Sequence, residues 1–265
     1  FPSRAGSLRS PARRGPATDR SPRSRSAREV TLDVWPGVFA WGWLCLPKEL
    51  KPGERRPVVV CQHGLEGLPA DVLDEDPTSD AFCHYRGRVA RLADRGFVVF
   101  APHNPCRGGD KFRQLQRKAN PLQASLFSII IAQHSRILDW LGTLPFVDAN
   151  RIGFYGLSCG GTTALRVPAV LDRYALSIWS GGFNDWTRKN VSVEAPSSDM
   201  FHGEYEMGDF NLGQTFGCAE MAALIAPRPF MVERGHSDSA GLEEWEAGEY
   251  DKVRRLYGRL GIGER

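Results

Sequence analysis

The sequence predicts an α/β domain whose mostly parallel sheet is covered by helices on both faces. Short, continuously apolar runs such as RPVVVCQ at 56–62 are typical of strands that are buried on both sides. Segments with apolar residues at helical spacing alternate with these runs, and that alternation is typical of parallel sheets. A chain of 265 residues with 42% hydrophobic and 25% charged residues fits one globular domain.

Residues 1–28 differ in composition from residues 29–265, which we assign to the folded domain. They hold eight Arg and one Asp, so the chain's net charge of +3 leaves −4 for the rest. The segment is rich in Arg, Ser and Pro and has too few apolar side chains to offset the entropy of ordering, so we expect it to be disordered. A basic RNA-binding arm or a transit peptide is the functional alternative to an unstructured extension.

Charge and cysteine usage exclude several classes of partner. The mildly acidic domain has no electrostatic feature that favours nucleic acid. No apolar stretch fits a signal peptide or a membrane span, so we expect no membrane partner. Six scattered cysteines without a Cys-x-x-Cys pair predict neither a metal site nor a disulfide framework. Compartment and oligomeric state stay open.

The domain begins with predicted strands. Alternating residues at 29–34 and 37–47 indicate an antiparallel pair that is joined through Pro36 and Gly37. The apolar run at 56–62 indicates a central strand. A polar insertion at 68–81 follows it.

Helices and strands then alternate. The segment 85–96 predicts a short amphipathic helix that a glycine closes, and 97–103 predicts the next strand. We expect a basic loop over 104–120. Apolar residues at helical spacing predict a long helix over 122–141, and Asp-Ala-Asn at 148–150 predicts a turn.

The last third of the chain continues the pattern. A strand is predicted at 151–155, followed by a helix that runs to about Pro168 and a strand at 175–183. After a short helix, FMVERG at 230–235 predicts another strand. A final amphipathic helix is expected over 243–260.

Gly156-Leu157-Ser158-Cys159-Gly160 joins a predicted strand directly to a predicted helix. With 28 glycines in the chain, Gly-x-Ser-x-Gly alone is a weak signal, and a serine in a glycine-rich bend is the alternative interpretation. The strand–turn–helix context favours a nucleophile elbow, in which the flanking glycines permit a tight turn. We therefore predict that Ser158 is a catalytic nucleophile at a helix N-terminus.

A serine nucleophile that transfers acyl groups requires donors for the oxyanion. The backbone N–H of Cys159 is one candidate, because it follows the serine at the start of the helix. The loop after the third strand, CQHGLEG, supplies the second, and we predict the N–H of Leu65 for this role. We interpret His63 as a residue that stabilises this loop rather than as the catalytic base.

The acidic partner of the site is expected after a later strand. Asp238 lies in the first turn beyond the strand at 230–235, so we predict that it orients and charge-balances the base. Glu233, within that strand, and Asp185, after the preceding strand, are the alternatives.

The sequence has no histidine at the position expected for the catalytic base. With such an elbow, serine, acid and histidine follow in chain order, yet residues 239–265 contain no histidine. We expect His134 to be structural, whereas His103 and His202 are candidates for substrate contact. His236 is too close to Asp238 to serve both it and the serine. We therefore expect a last strand, and a loop that carries the catalytic histidine, to lie beyond Arg265.

Four segments carry a family resemblance: VVVCQHGLEG, VDANRIGFYGLSCGGTTALRVPA, LIAPRPFMVERGHSD and YDKVRRLYGRLGIGER. In them the sequence resembles the α/β-hydrolase superfamily, particularly the acetyl xylan esterase, dienelactone hydrolase and prolyl-oligopeptidase-like group. The resemblance implies an α/β-hydrolase fold without its last strand here, and a Ser-Asp-His esterase or peptidase with Ser158 and Asp238 in the matching positions. Dienelactone hydrolases have Cys at the centre of the elbow; here Cys159 is one place off, so a thiol mechanism is discounted.

The implied enzyme hydrolyses carboxylic esters through an acyl-enzyme and needs neither a metal nor an organic cofactor. Its expected partner is a small-molecule or carbohydrate ester. The alternatives are a peptidase and a non-enzymatic binding protein that kept the fold and lost the triad. An intact elbow together with Asp238 favours the enzyme.

Residues 184–217 have no clear period and are too long for an ordinary connection, so we expect a lid over the site. Aromatic residues of this segment predict either a wall for a carbohydrate or aryl group or packing within the lid: Trp186, Phe201 and Tyr205. In the basic loop, Arg107 or Arg113 is a candidate for an acidic substrate group, with a solvated loop as the alternative.

Overall fold

The computed structural model describes residues 26–201, 208–238 and 241–265. In these ranges the strands are β1 (Ser26–Trp35), β2 (Val38–Leu46), β3 (Arg56–Gln62), β4 (Val98–Pro102), β5 (Val147–Leu157), β6 (Leu176–Ser180) and β7 (Phe230–Glu233). They form one sheet in the order β1-β2-β4-β3-β5-β6-β7. Strand β2 pairs antiparallel with β1 and β4, and the other neighbours are parallel. The predicted mostly parallel sheet is confirmed.

The α-helices of the same ranges are α1 (Asp80–Tyr85), α2 (Arg88–Asp94), α3 (Asp110–Ala119), α4 (Leu126–Gly142), α5 (Cys159–Val170), α6 (Trp186–Val191), α7 (Leu212–Thr215), α8 (Cys218–Ala223) and α9 (Glu243–Arg259). The long helix α4 begins where Ser125 and Ser128 form a reciprocal capping box. No helix in the described part of the chain has the length and apolar character to cross a membrane.

The N-terminal boundary lies earlier than the sequence predicts. Strand β1 begins at Ser26, and its first three residues pair in register with the end of β2. The predicted disordered segment, 1–28, therefore overlaps a strand by three residues, because pairing of backbone groups does not require apolar side chains. Residues 1–25 lie outside the described residues.

The predicted basic loop over 104–120 is wrong in its second half, which forms α3. Charged and polar residues leave few apolar positions at helical spacing in this segment. Phe112 and Gln116, four residues apart, are nevertheless both buried on one face of the helix. The predicted helix at 85–96 is also divided. Arg86 and Gly87 have φ of 52° and 58°, so α1 ends and α2 begins at this point.

The sheet separates two apolar layers and places its parallel strand ends at one edge. Val58 and Val60 of β3 pack on the side of α4, whereas Cys61 packs on the side of α1 and α2. The carboxyl ends of β3, β5, β6 and β7 lie side by side in the register. In open α/β sheets, ligands bind at this edge.

Asp209 anchors the predicted lid to the domain, because it forms an ion pair with Arg166 of α5. A second ion pair, between Lys189 and Asp199 at 3.2 Å, lies within the segment. All four side chains are buried in the domain. The role of segment 184–217 as a lid stays a prediction.

Candidate active site

Ser158 lies at the junction of β5 and α5 in a strained conformation. Its φ and ψ are 57° and −120°, and the residue is exposed. A non-glycine residue held in such a sparsely populated region costs about 1–3 kcal/mol, so its surroundings must enforce it. The N–H of Ser158 donates to the Ser180 carbonyl at 2.8 Å, and its carbonyl accepts from the Thr162 N–H at 2.9 Å. The main chain therefore presents this hydroxyl outside the sheet.

The two glycines of the motif are sterically required. A Cβ on Gly156 would lie 1.8 Å from the carbonyl oxygen of Gly160. A Cβ on Gly160 would lie 2.6 Å from the carbonyl oxygen of His63. Because both obstacles are backbone atoms, a larger residue at either position requires the turn to move.

The loop after β3 lies against Ser158. A Cβ on Gly64 would be 3.5 Å from the Ser158 Cβ. The Gly64 N–H donates to the Tyr85 hydroxyl at 2.8 Å, so this amide is occupied. Within the described residues, no turn or loop hydrogen bond takes up the N–H of Leu65 or of Cys159, and the first amides of a helix lack intrahelical acceptors. Their roles as oxyanion donors stay predictions.

His63 connects two loops at this edge. Its Nδ1 donates to the Gly64 carbonyl at 2.8 Å, and its Nε2 accepts from the Asn104 N–H at 3.0 Å. Burial is the main cause that lowers the pKa of His63 to about 4, so the ring is neutral. With both nitrogens engaged, His63 is a stabilising residue of the loop and is not available as a base.

The other described histidines are spread over the fold. His134 of α4 is buried and bonded to the Tyr174 hydroxyl at 2.7 Å. The ring of His103 lies 5.4 Å from those of both Trp41 and His63. His84 and His236 are exposed. His202 lies outside the described residues.

We expect His134→Gln to weaken the pH dependence of folding stability. Burial lowers the pKa of His134 from 6.5 to about 3, so the unfolded state takes up the proton first. The contribution of His134 to stability is therefore complete above pH 6.5. As the pH decreases below 6.5, the free energy of unfolding decreases, by roughly 2 kcal/mol between pH 7 and pH 5. Glutamine takes up no proton, so the variant should lose that much less over the interval. Urea unfolding of both proteins at the two pH values measures this, and equal losses would contradict a neutral buried imidazole.

Asp238 lies in the turn after β7, at the same edge of the sheet as Ser158. Its N–H donates to the Gly235 carbonyl at 3.0 Å, and its Oδ2 is 3.4 Å from where a Cβ on Gly181 would be. Gly181 directly follows Ser180, whose carbonyl accepts from the Ser158 N–H. The structure thus brings the Asp238 carboxylate to the strand end that neighbours the serine.

The alternative acids have other partners. Glu233 accepts from the Tyr155 hydroxyl at 2.7 Å. Asp185 caps α6 by accepting from the Arg188 N–H at 3.0 Å, and it also pairs with the Arg188 guanidinium. Asp238 stays the predicted acid because its carboxylate lies beside Gly181 at the strand end that neighbours the serine, and its role in catalysis stays a prediction.

The sequence does not predict the roles of two residues in this region, Asn104 and Tyr85. Asn104 follows β4 and joins the His63 ring to α5, since its Nδ2 donates to Thr163 Oγ1 at 2.8 Å. A polar residue at the carboxyl end of a predicted strand is a signal that would have found it. Tyr85 gives no such signal, because its partner is a backbone amide 21 residues away.

Comparison with known proteins places the chain in a family. The model of the prolyl oligopeptidase family matches residues 83–240. The lasso peptide isopeptidase AtxE2 of Asticcacaulis excentricus is 24% identical over 199 residues, which cover 67% of this chain and 26% of that protein. The chain thus spans about a quarter of the length of this curated relative.

Solved structures share the fold. A putative acetyl xylan esterase of Bacteroides fragilis superposes with a TM-score of 0.72 at 14% identity, over 91% of this chain and 65% of that one. The acylaminoacyl peptidase of Pyrococcus horikoshii superposes with a TM-score of 0.64 at 17% identity, over 88% of this chain and 36% of that one. Both likenesses agree with the α/β-hydrolase fold that the sheet order and the turn at Ser158 indicate. The chain belongs to the prolyl oligopeptidase family, within the α/β-hydrolase superfamily.

Proposed function

We propose that the protein is a serine hydrolase that cleaves carboxylic esters through an acyl-enzyme. The observation that carries this proposal is the exposed Ser158 at φ 57°, held at the N-terminus of α5 beside the loop of Leu65. A hydroxyl on a strained turn, next to two amides for which the turn and loop bonds of the described residues supply no acceptor, is suited to acyl transfer.

In the proposed mechanism, Ser158 Oγ attacks the ester carbonyl carbon and its proton passes to an imidazole. The N–H groups of Leu65 and Cys159 stabilise the oxyanion, and the imidazolium then protonates the departing alcohol. Water, activated by the same imidazole, releases the acid and restores the serine. Asp238 orients the imidazole. We place this histidine outside the described residues, because with such an elbow the base follows the acid in chain order and the described residues after Asp238 contain no histidine.

We propose a small-molecule or carbohydrate ester as the substrate, and the likeness to an acetyl xylan esterase supports this choice. A peptidase is the second candidate, supported by the family model and by the isopeptidase relative. Trp186, a predicted aromatic wall residue, is 5% exposed and packs in the core, so it does not support carbohydrate binding. The structure does not describe the side chain of Phe201, and Tyr205 lies outside the described residues.

Labelling with a fluorophosphonate tests the proposal. The full-length gene product should bind one equivalent of probe, and peptide mapping should locate the adduct on Ser158. Ser158→Ala should show no labelling above the heat-denatured control. Absence of labelling in both proteins, or an adduct at another residue, would contradict the proposal.

Comparison of model substrates separates the two candidate activities. We expect p-nitrophenyl acetate to be cleaved with a kcat/KM at least ten times that of an acylated peptide p-nitroanilide, beyond the intrinsic difference in reactivity. The reverse preference would favour the peptidase.

A further inference from the structure

Glu66, the residue after the proposed oxyanion donor Leu65, is bonded four times to the loop that follows β4. Its carboxylate accepts from the Gly108 N–H through Oε2 and from the Gly109 N–H through Oε1, both at 2.8 Å. Its N–H donates to the Cys106 carbonyl at 2.9 Å, and its carbonyl accepts from Arg107 Nε at 3.1 Å. We propose that Glu66 is a positioning residue, which clamps the oxyanion loop onto the loop after β4. This inference rests on the proposed function.

The clamp fixes one side of the peptide that carries the donor. The Gly64 carbonyl accepts from His63 Nδ1 at 2.8 Å and from the Gly67 N–H at 3.2 Å. In a planar trans peptide, the carbonyl oxygen and the following N–H point in opposite directions. His63 and Gly67 therefore direct the Leu65 N–H away from themselves, and Glu66 holds the next peptide, so that Leu65 is fixed from both sides.

Backbone conformation makes the clamp necessary. Glu66 has φ of 58°, in the left-handed region that non-glycine residues avoid. An exposed residue returns to a relaxed conformation unless other contacts hold it. The four hydrogen bonds are those contacts, and loss of the carboxylate removes two of them.

The groups around the Glu66 carboxylate stabilise its ionised form. Hydrogen bonds from the Gly108 and Gly109 amides, with the charges of Arg113 and Arg107, hold the pKa of Glu66 below its usual range. It is therefore ionised at neutral pH, and each oxygen takes one amide. Since Glu66 offsets the charge of Arg107 and Arg113, these residues are less suited to an acidic substrate group than the sequence alone indicates.

Replacing Glu66 with Gln tests the inference. Glutamine has one acceptor oxygen, and its NH2 group would face a backbone N–H where the second oxygen was. We expect kcat for p-nitrophenyl acetate and the rate constant of fluorophosphonate labelling to fall by about 10–100-fold, because small displacements of an oxyanion donor have effects of this size. KM should change by less than about twofold. Glu66→Asp, which keeps the charge, should recover part of the rate.

Glu54→Gln is the matched control. Glu54 also accepts from a backbone N–H, that of Lys51 at 3.2 Å, and pairs with Arg56, but it lies in the turn before β3. This variant should label at the wild-type rate. Equal rates for Glu66→Gln and wild type would overturn the positioning role, as would an unchanged rate with a smaller fraction of labelled protein, which indicates a folding defect. Failure of wild type itself to label would instead refute the proposed function.

Discussion

Asp238→Asn is expected to lower kcat for ester hydrolysis by about 10⁴-fold while KM stays within a few-fold of wild type. An acid that accepts the Nδ1–H of the imidazole keeps Nε2 free to take the proton from the serine, and an amide stabilises the wrong tautomer. The Asp238 carboxylate lies 3.4 Å from the position of a Gly181 Cβ, next to the strand end that binds the Ser158 N–H. Steady-state kinetics of the purified variant measure the effect.

Two carboxylates at the same edge supply matched controls for this prediction. Glu233 is bonded to Tyr155, and Asp185 caps α6, so both have structural partners. Glu233→Gln and Asp185→Asn should retain kcat within about fivefold. A loss near 10⁴-fold in either control, with Asp238→Asn active, would transfer the acidic role to that residue.

A third control variant replaces His236, the histidine that is nearest to Asp238 in the sequence. His236 is exposed in the turn that contains Asp238. Its replacement by Ala should leave fluorophosphonate labelling of Ser158 unchanged. A loss as large as that of Asp238→Asn would identify His236 as the base and would contradict a histidine outside the described residues.

The turn at Ser158 could be predicted from sequence because its determinants are local. Gly156 and Gly160 flank the serine within five residues, and the apolar run before them marks the strand. The parallel sheet followed from similar local runs, since VVVC in β3 and IGFYGL in β5 are short uncharged, largely apolar stretches that pair in parallel. Local patterns of this kind need no knowledge of distant partners.

Contacts between distant segments could not be predicted in the same way. The bond from the Asn104 N–H to His63 spans 41 residues, and that from the Gly108 N–H to Glu66 spans 42. Nothing near Glu66 in the sequence distinguishes it from a solvated loop carboxylate, because its acceptors become useful only when β3 and β4 lie side by side. The sequence does not predict helix α3 for a related reason: the apolar face of this helix is narrow, and Phe112 is its one fully apolar buried residue.

The stability of the domain and the geometry of the nucleophile depend on the same backbone contact. Gly156 is the second-last residue of the central strand β5, and Gly160 lies in the first turn of α5. Their close approach lets the helix start directly above the strand, which forces Ser158 into its positive φ. Any residue with a Cβ at position 156 must separate strand from helix.

We therefore expect Gly156→Ala to lower the free energy of unfolding by about 3 kcal/mol or more and to abolish labelling of Ser158 in whatever protein remains folded. The added Cβ would lie 1.8 Å from the Gly160 carbonyl oxygen and 2.8 Å from the Gly161 nitrogen, and neither backbone atom can rotate away. Overpacking of a rigid site has costs of this order.

Urea unfolding monitored by tryptophan fluorescence gives the free energy of unfolding, with Gly248→Ala as the control. Gly248 is an exposed position within α9 with no atom within 4 Å of an added Cβ, so alanine there should raise stability by about 0.5–1 kcal/mol. If Gly156→Ala were as stable and as reactive as wild type, close contact of strand and helix could not be what holds the serine in its strained conformation.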